Sequence, residues 1–380
     1  MSLRRSVRAF AVVTSVLLLS GSGYAQHGNA KPNKGKVDHR ARQARPVQLG
    51  TSGGNAGDLA NGYCCSGTLG ALVTNGQKRF ILSNTHVFAG DSTLGGNGSV
   101  SKVGDDVNQP GLIEVGCQYI AGDIIADVSD WAPLGQFNID AAIAEVRTGQ
   151  VDSSGAILEI GTIANTTAQP FVGQAVKKSG RTTGLTRSSI SGLNATVTVG
   201  YTDECAGNNL TVRYTGQILV TNKGSRFLNS GDSGSLMVED VANNPRAVGL
   251  LYAGSSSIAI ANPINAVLNH FGVTMVGGTA GAGASTAAET GPNSARGLAR
   301  AIAVQERHGR ELLAVPGAIG HAVGVGNSPV IKILVPEITP GARAAAPRQL
   351  EGVPVILEEV GQIRAMPICS LRAKAARGSK

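Results

Sequence analysis

The sequence predicts a mainly all-β protein with a small α+β module at its C-terminal end. Three observations carry this. Glycine supplies 52 of 380 residues while aromatics make up only 4%, a balance that suits many short strands and tight turns better than a helical bundle. Between 47 and 276, short apolar or alternating runs recur, each bounded by Gly, Asn, Ser or Asp, which is the spacing of a barrel or sandwich. Beyond a low-complexity stretch the pattern changes to one helical segment followed by three strand-like runs.

The first 25 residues carry Arg4, Arg5 and Arg8, then AFAVVTSVLLLS, then small residues ending GYA. That is the layout of a secretory signal peptide, with cleavage expected after Ala25 and an apolar run too short for a comfortable bilayer span. Residues 26–46, including KPNKGKVDHRARQARP, read as a basic tether or pro-segment. The body, 47–276, opens with GTLGALV and RFILSN joined around Asn75-Gly76, a hairpin signal. Further strands are expected at DAAIAEV, GQAVKKSG, ATVTVGY, LTVRYTGQILV, SGSLMVE and RAVGLLYAG. INAVLNHFGV, 264–273, has helical apolar spacing and Gly272 as a stop. The small residues of 277–294 read as a flexible linker. The α+β module is expected over 295–370, and KAARGSK falls in a basic tail, 371–380.

The net charge of +8 raises nucleic acid as a partner, but its distribution argues against one. Residues 47–276 hold 12 Lys and Arg against 17 Asp and Glu, so the body is acidic and the positive charge lies in its flanks. No membrane span is expected once the signal is removed. Five cysteines, Cys64, Cys65, Cys117, Cys205 and Cys369, are compatible with disulfides in an exported, secreted or periplasmic chain. Cys64 and Cys65 alternate faces if they lie on a strand, so one can turn inward toward Cys117 or Cys205. No Cys/His cluster has metal-ligand spacing, and no metal or other cofactor is expected.

The chemistry begins at NSGDSGSLM, 229–237. Ser233 stands between two glycines after an aspartate, and such residues alone make an ordinary polar turn. Its reading as a nucleophile depends on partners elsewhere. His86 in ILSNTHVFAG follows a strongly apolar strand and enters a glycine-containing turn, which places it at a strand end facing a cleft. The other histidines lie in the basic stretch, the closing helix or the module. Asp140 in FNIDAAIAEV precedes a buried strand that can hold it behind an imidazole, fixing the tautomer. Asp127 and Asp130 compete, but ADVSDW reads as a polar loop without an adjoining apolar strand.

The order His, Asp, Ser, with NTHV after an apolar strand, IDAAI in the middle and GDSGS before another strand, resembles the chymotrypsin-like (trypsin-like) serine proteases of bacterial secreted type. The resemblance spans 47–276 and implies a double β-barrel catalytic domain. It implies that Ser233 attacks the scissile carbonyl, His86 moves the proton and Asp140 orients His86, with the N–H groups of Gly231 and Ser233 as oxyanion hole. It also implies a cationic partner for Asp232, for which Lys178 and Arg181 in KKSGRTTGLT are the candidates. The specificity pocket falls on Phe227, Asn229, Tyr252, Ala253 and Gly254. With Phe227 where many relatives carry a charge-selecting residue, an apolar or small side chain is expected there. Val87 departs from the family by replacing a cysteine often found after the histidine.

The resemblance therefore implies a secreted serine endopeptidase acting on protein or peptide substrates. VPEITPGARAAAPRQLEGVPVI also faintly resembles the PDZ domains behind the protease of the HtrA family, which would make this a quality-control protease. That family carries GNSGG in place of GDSGS, and no carboxylate-binding loop is evident, so an accessory role for the module is preferred. A catalytically silent relative that binds peptides in its cleft is the reading from outside the enzyme class.

Overall fold

A computed structural model describes residues 37–59, 63–90, 101–202, 209–224, 226–280 and 295–371. The signal peptide, most of the linker, the tail beyond 371 and Cys205 lie outside them. The described chain is mainly β, in two sheets with a few helices. The first barrel uses β1 (Thr51–Asn55), β2 (Tyr63–Leu69), β3 (Ala71–Thr74), β4 (Arg79–Ser83), β5 (Asp106–Asn108), β6 (Ile124–Trp131) and β7 (Ala142–Val146). β2 runs through Gly70 into β3, and pairing in the order β3-β4-β7-β6-β5-β1-β2 returns the sheet to that bent strand. A one-turn helix, α1 (Thr85–Phe88), follows β4.

The second barrel uses β8 (Ala175–Gly180), β9 (Gly184–Tyr201), β10 (Leu210–Thr221), β11 (Leu236–Glu239), β12 (Ala247–Gly254) and β13 (Ile258–Pro263). Each pairs antiparallel with the next in the ring β8-β9-β10-β13-β12-β11 and back to β8. Ring closure removes the exposed edges that an open sheet of such short strands would carry. Helix α2 (Ile264–Phe271) buries Ile264, Val267 and Leu268 and ends at Gly272 in the left-handed region, φ 63°, the stop read from the sequence. β14 (Thr274–Met275) then returns to pair with β3. Gly278 is still held, its N–H on the Ile163 carbonyl at 2.9 Å, so the chain leaves the body later than the expected start of the linker.

The last quarter forms helices α3 (Ala295–Arg307) and α4 (Gly309–Ala314), strands β15 (Gly320–Val325) and β16 (Pro329–Val335), helix α5 (Pro340–Ala345), and strands β17 (Gln349–Leu350) and β18 (Val353–Glu359). Thr339 caps α5 by accepting the Ala342 N–H, with Pro340 at its first turn, a pairing of residue types that starts helices. These elements have their own core, including Val304, Leu312, Ile331 and Ile333. They are also joined to the body, because β15 pairs antiparallel with β9. The chain then leaves this module: β19 (Arg364–Ala365) pairs with β12 and β9, and β20 (Ile368–Leu371) pairs with β2 of the first barrel.

Three local expectations change. ADVSDW is part of β6 rather than a polar loop; a register shift between Val128 and Asp130 breaks the alternation and leaves both aspartates outward, where Arg147 bonds Asp127 at 2.6 Å. His86 lies on α1 rather than at a strand end. Residues 37–46, expected as part of a basic tether or pro-segment, are docked rather than free as a tether would be: Arg42 pairs with buried Asp123 at 2.7 Å, and buried His39 lies 2.7 Å from both the Gly50 carbonyl and Glu159. Charge balance explains the docking, since a basic segment has an acidic body to lie on. Cys64 is disulfide-bonded to Cys117, while Cys65, on the opposite face of β2, stands across from Cys369 in the β2–β20 register.

The seam between body and module holds a buried histidine. His321 on β15 lies 2.7 Å from Gln305 of α3 through Nδ1. Burial, with the charge of Arg213 adding to it, lowers its pKa to about 4. Because the folded state resists protonation and the unfolded state does not, stability is lost as pH falls from about 6.5 toward 4, by about 3 kcal/mol in all. Urea unfolding at pH 7 and pH 4.5 is expected to show this loss in the native chain and a smaller one in His321→Asn.

Candidate active site

The barrels meet where Thr68 of β2 reaches the loop before β11. The Thr68 N–H donates to the Ser233 carbonyl at 2.8 Å and its hydroxyl to the Gly231 carbonyl at 2.9 Å. His86, Asp140 and Ser233 are all fully buried at this seam. The α1 turn is tied down on both sides: the Asn84 carbonyl accepts the Phe88 N–H at 3.0 Å and the Thr85 hydroxyl donates to the Ala132 carbonyl at 2.8 Å. His86 Nδ1 thereby lies 2.5 Å from Asp140 Oδ2.

Asp140 is fixed by side chains from both barrels. Its N–H donates to Asn262 Oδ1 at 3.1 Å, and its carbonyl accepts from Asn84 at 2.7 Å and Asn262 at 3.0 Å. Its carboxylate also accepts the Tyr201 hydroxyl at 2.8 Å. Tyr214 sits 2.8 Å from that hydroxyl; since the Tyr201 proton goes to Asp140, Tyr214 donates to Tyr201. Burial first, and the Asp140 charge after it, raise both phenols well above their ordinary range, so both remain neutral donors. The Asp140 carboxylate facing the ring sets the imidazole tautomer with Nδ1–H toward Asp140.

Ser233 and the loop before it have a separate anchor. Asp232 Oδ1 accepts the Thr182 and Thr183 N–H groups at 2.9 and 3.1 Å, and Oδ2 accepts the Thr183 hydroxyl at 2.7 Å and the Asn229 N–H at 3.0 Å. Lys178 Nζ completes the set at 3.2 Å, with both side chains fully buried. Burial lowers the Lys178 pKa, an effect opposed by the Asp232 charge. The structure thus brings Lys178 to Asp232, whereas the Arg181 side chain turns to Glu114. Gly231 has φ +95°, and a Cβ there would lie 2.4 Å from Thr182 Oγ1; at Gly234, φ +90°, one would lie 2.2 Å from the Thr68 carbonyl oxygen. Only glycine fits either place.

The Ser233 hydroxyl donates to the Tyr252 carbonyl at 3.1 Å, and His86 Nε2 is buried without a hydrogen-bond partner. A rotation of the hydroxyl is needed to bring the two together. The Gly231 N–H is already taken, by the Met366 carbonyl at 2.7 Å, and the Met366 N–H donates to the Tyr252 carbonyl at 3.1 Å.

Of the expected pocket residues, Phe227 is fully buried in an apolar cluster against which Met366 packs. Ala253 and Gly254 present backbone, pairing with Ala365 and Arg364. The Tyr252 ring turns away to pack edge-on against Tyr214, 5.2 Å between centroids, leaving its carbonyl on the cleft. Asn229 is exposed and shapes the loop through its bond to Asp232. Among the described residues no three His, Cys, Asp or Glu side chains gather as a metal site.

Tyr201, Asn262 and Met366 were not among the residues read from the sequence. Tyr201 ends a strand pattern and carries no local signal; Asn262 looks like one more strand-terminating polar residue. For Met366 a signal did exist in Cys369, a cysteine more than 160 positions beyond the other four.

Removing the ammonium that faces Asp232 leaves a buried carboxylate without its counter-charge. Lys178→Met is expected to lower unfolding free energy by about 3–5 kcal/mol, read by urea denaturation. Arg181→Ala, whose side chain makes a different pair, should have the smaller effect.

A family model described as the Nal1 C-terminal domain matches residues 129–262. No curated protein matches. Among solved structures, the chain is similar to a glutamic acid specific serine protease, described as using a histidine triad in substrate binding, at 21% identity and TM-score 0.41, over 60% of this chain and 100% of that one. It is similar to Thermobifida fusca protease A at 19% identity and TM-score 0.41, over 61% and 99%, and to a Cellulomonas bogoriensis chymotrypsin at 21% and TM-score 0.37, over 57% and 96%.

Proposed function

We propose that the chain is an exported serine endopeptidase. The observation that carries this is the buried Asp140–His86 contact of 2.5 Å beside a serine on a loop whose Gly231 N–H already holds a peptide carbonyl at 2.7 Å. Ser233 Oγ attacks the substrate carbonyl while His86 Nε2 takes its proton; the negative oxygen forms against the Gly231 and Ser233 N–H groups, and His86 returns the proton to the leaving amine. A water, deprotonated by the same imidazole, then releases the acyl group. Asp232 with Lys178 supports the oxyanion loop, and neither touches substrate. Both half-reactions balance with these side chains and water.

An acidic body and apolar pocket fit protein or peptide substrates better than nucleic acid. The Cys64–Cys117 disulfide supports an oxidising compartment. No helix among the described residues is long and apolar enough to cross a membrane.

Because residues 364–366 lie in the cleft, the test is best made with that segment weakened. In Met366→Asp, a fluorophosphonate probe should label Ser233, and labelling should vanish when Ser233→Ala or His86→Ala is added; a labelled Ser233→Ala chain would sink the assignment. In that same background Asp140→Asn is expected to lower kcat by about four orders of magnitude. Tyr201→Phe removes one donor from the Asp140 carboxylate, worth about 1.5 kcal/mol or roughly tenfold in kcat/KM.

A further inference from the structure

The segment from Val360 to Leu371 leaves the module core, buries Val360 and Ile363 in the cluster of the second barrel, and then runs from β12 past Gly231 to β2. Its path is fixed first by the Val360 N–H on the Val335 carbonyl at 2.8 Å. Arg364 and Ala365 then pair antiparallel with Gly254 and Ala253. Next the Met366 N–H binds the Tyr252 carbonyl and the Met366 carbonyl receives the Gly231 N–H at 2.7 Å. Past Pro367, residues 368–371 pair antiparallel with β2, Ile368 opposite Ser66 and Cys369 opposite Cys65, whose Sγ atoms are 3.4 Å apart.

This is strand addition running through a catalytic centre. A donor 2.7 Å from a carbonyl oxygen is the distance at which an oxyanion donor works, so the Met366 carbonyl occupies the place of the bond to be cut. Strands on both sides hold the peptide extended across it. Resting on the serine endopeptidase reading, we infer that residues 364–369 are a built-in substrate mimic: the chain occupies its own cleft, and its substrates carry an unbranched apolar side chain such as methionine before the scissile bond.

The side chain sets the specificity. Met366 packs on the cluster that holds Phe227, Leu228, Ile218 and Leu251, and its sulfur lies 3.8 Å from Ser230 Oγ. Asp232, the carboxylate of that loop, is already saturated by the donors described above, so it does not wait for a basic side chain.

Pro367 makes the segment an inhibitor rather than a substrate. Cleavage would join Ser233 Oγ to the Met366 carbonyl carbon and break the bond to the Pro367 nitrogen, with His86 carrying the serine proton to that nitrogen and water then hydrolysing the ester. In proline the ring carbon replaces the N–H and crowds the nitrogen on which the proton must arrive. The pairing of 368–371 with β2, with Cys369 facing Cys65, keeps any released amine in place to reform the bond.

The test compares the full chain with Met366→Asp, Met366→Leu and Pro367→Ala, by fluorophosphonate labelling of Ser233 and by hydrogen exchange over 363–371. An aspartate cannot be kept in an apolar pocket, so Met366→Asp should free the segment to exchange and raise the labelling rate on the order of ten- to a hundred-fold. Met366→Leu should stay protected and slow. Pro367→Ala should cut itself between 366 and 367, seen by mass spectrometry after denaturation and reduction as separate pieces ending at 366 and beginning at 367, and a freed peptidase should prefer methionine or leucine before the cut in a peptide library.

Equal labelling of the native chain and Met366→Asp, or an unprotected native segment, overturns the mimic and leaves the peptidase standing. A Pro367→Ala chain that stays whole while Met366→Asp is labelled overturns the role given to Pro367. If exchange shows the segment released in Met366→Asp and Ser233 is still never labelled, the endopeptidase reading falls while occupancy of the cleft stands.

Discussion

The site depends on one buried carboxylate. Asp232 collects two backbone N–H groups from the β8–β9 turn, the Thr183 hydroxyl, the Asn229 N–H and the Lys178 ammonium. Two buried charges are costly to take out of water, and their attraction offsets that cost only when every remaining lone pair and proton has a partner. Here the donors are supplied by the chain on both sides of the loop. Satisfying Asp232 therefore forces residues 229–233 into one conformation, with Gly231 at positive φ and its N–H facing the cleft. Without that anchor, the polar turn NSGDSGS has many alternatives of similar energy.

A second constraint comes from where the barrels touch. His86 comes from the first, Ser233 from the second, and Asp140 precedes β7 of the first while being gripped by Asn262 of the second. The arrangement of these three residues is thus an interface property, set by the two cores packing at fixed distance rather than by any one loop. Interiors packed at near-crystalline density deform little, which suits a site that needs tolerances of a fraction of an ångström.

Much of this was legible in the sequence because it is local. Strand runs, the closing helix with Gly272, and the glycine-serine turn at 231–234 all follow from periodicity and backbone preference within a few residues. The strand character of Asp127 and Asp130 was hidden because a register shift between Val128 and Asp130 breaks the period-two pattern, so two outward aspartates three residues apart resemble a loop. The docking of 37–46 and the path of 360–371 were not legible, since both rest on pairing with residues tens to hundreds of positions away. Tyr201 shows the same limit: a strand-ending tyrosine acquires its meaning only when Asp140 arrives beside it.

The β2–β20 pairing has a consequence for the order in which the molecule is made. Cys65 and Cys369 meet across a register that joins the start of the first barrel to the far end of the chain, a loop whose closure carries a high entropic cost and is therefore late. Each barrel ring can close from residues before 277, and β15 cannot add to β9 until the last quarter has emerged. In a chain synthesised from its N-terminus, the barrels are complete while the cleft is still open, and the segment that fills the cleft follows both of them. Assembly order, written into the topology, makes the open molecule the precursor of the closed one.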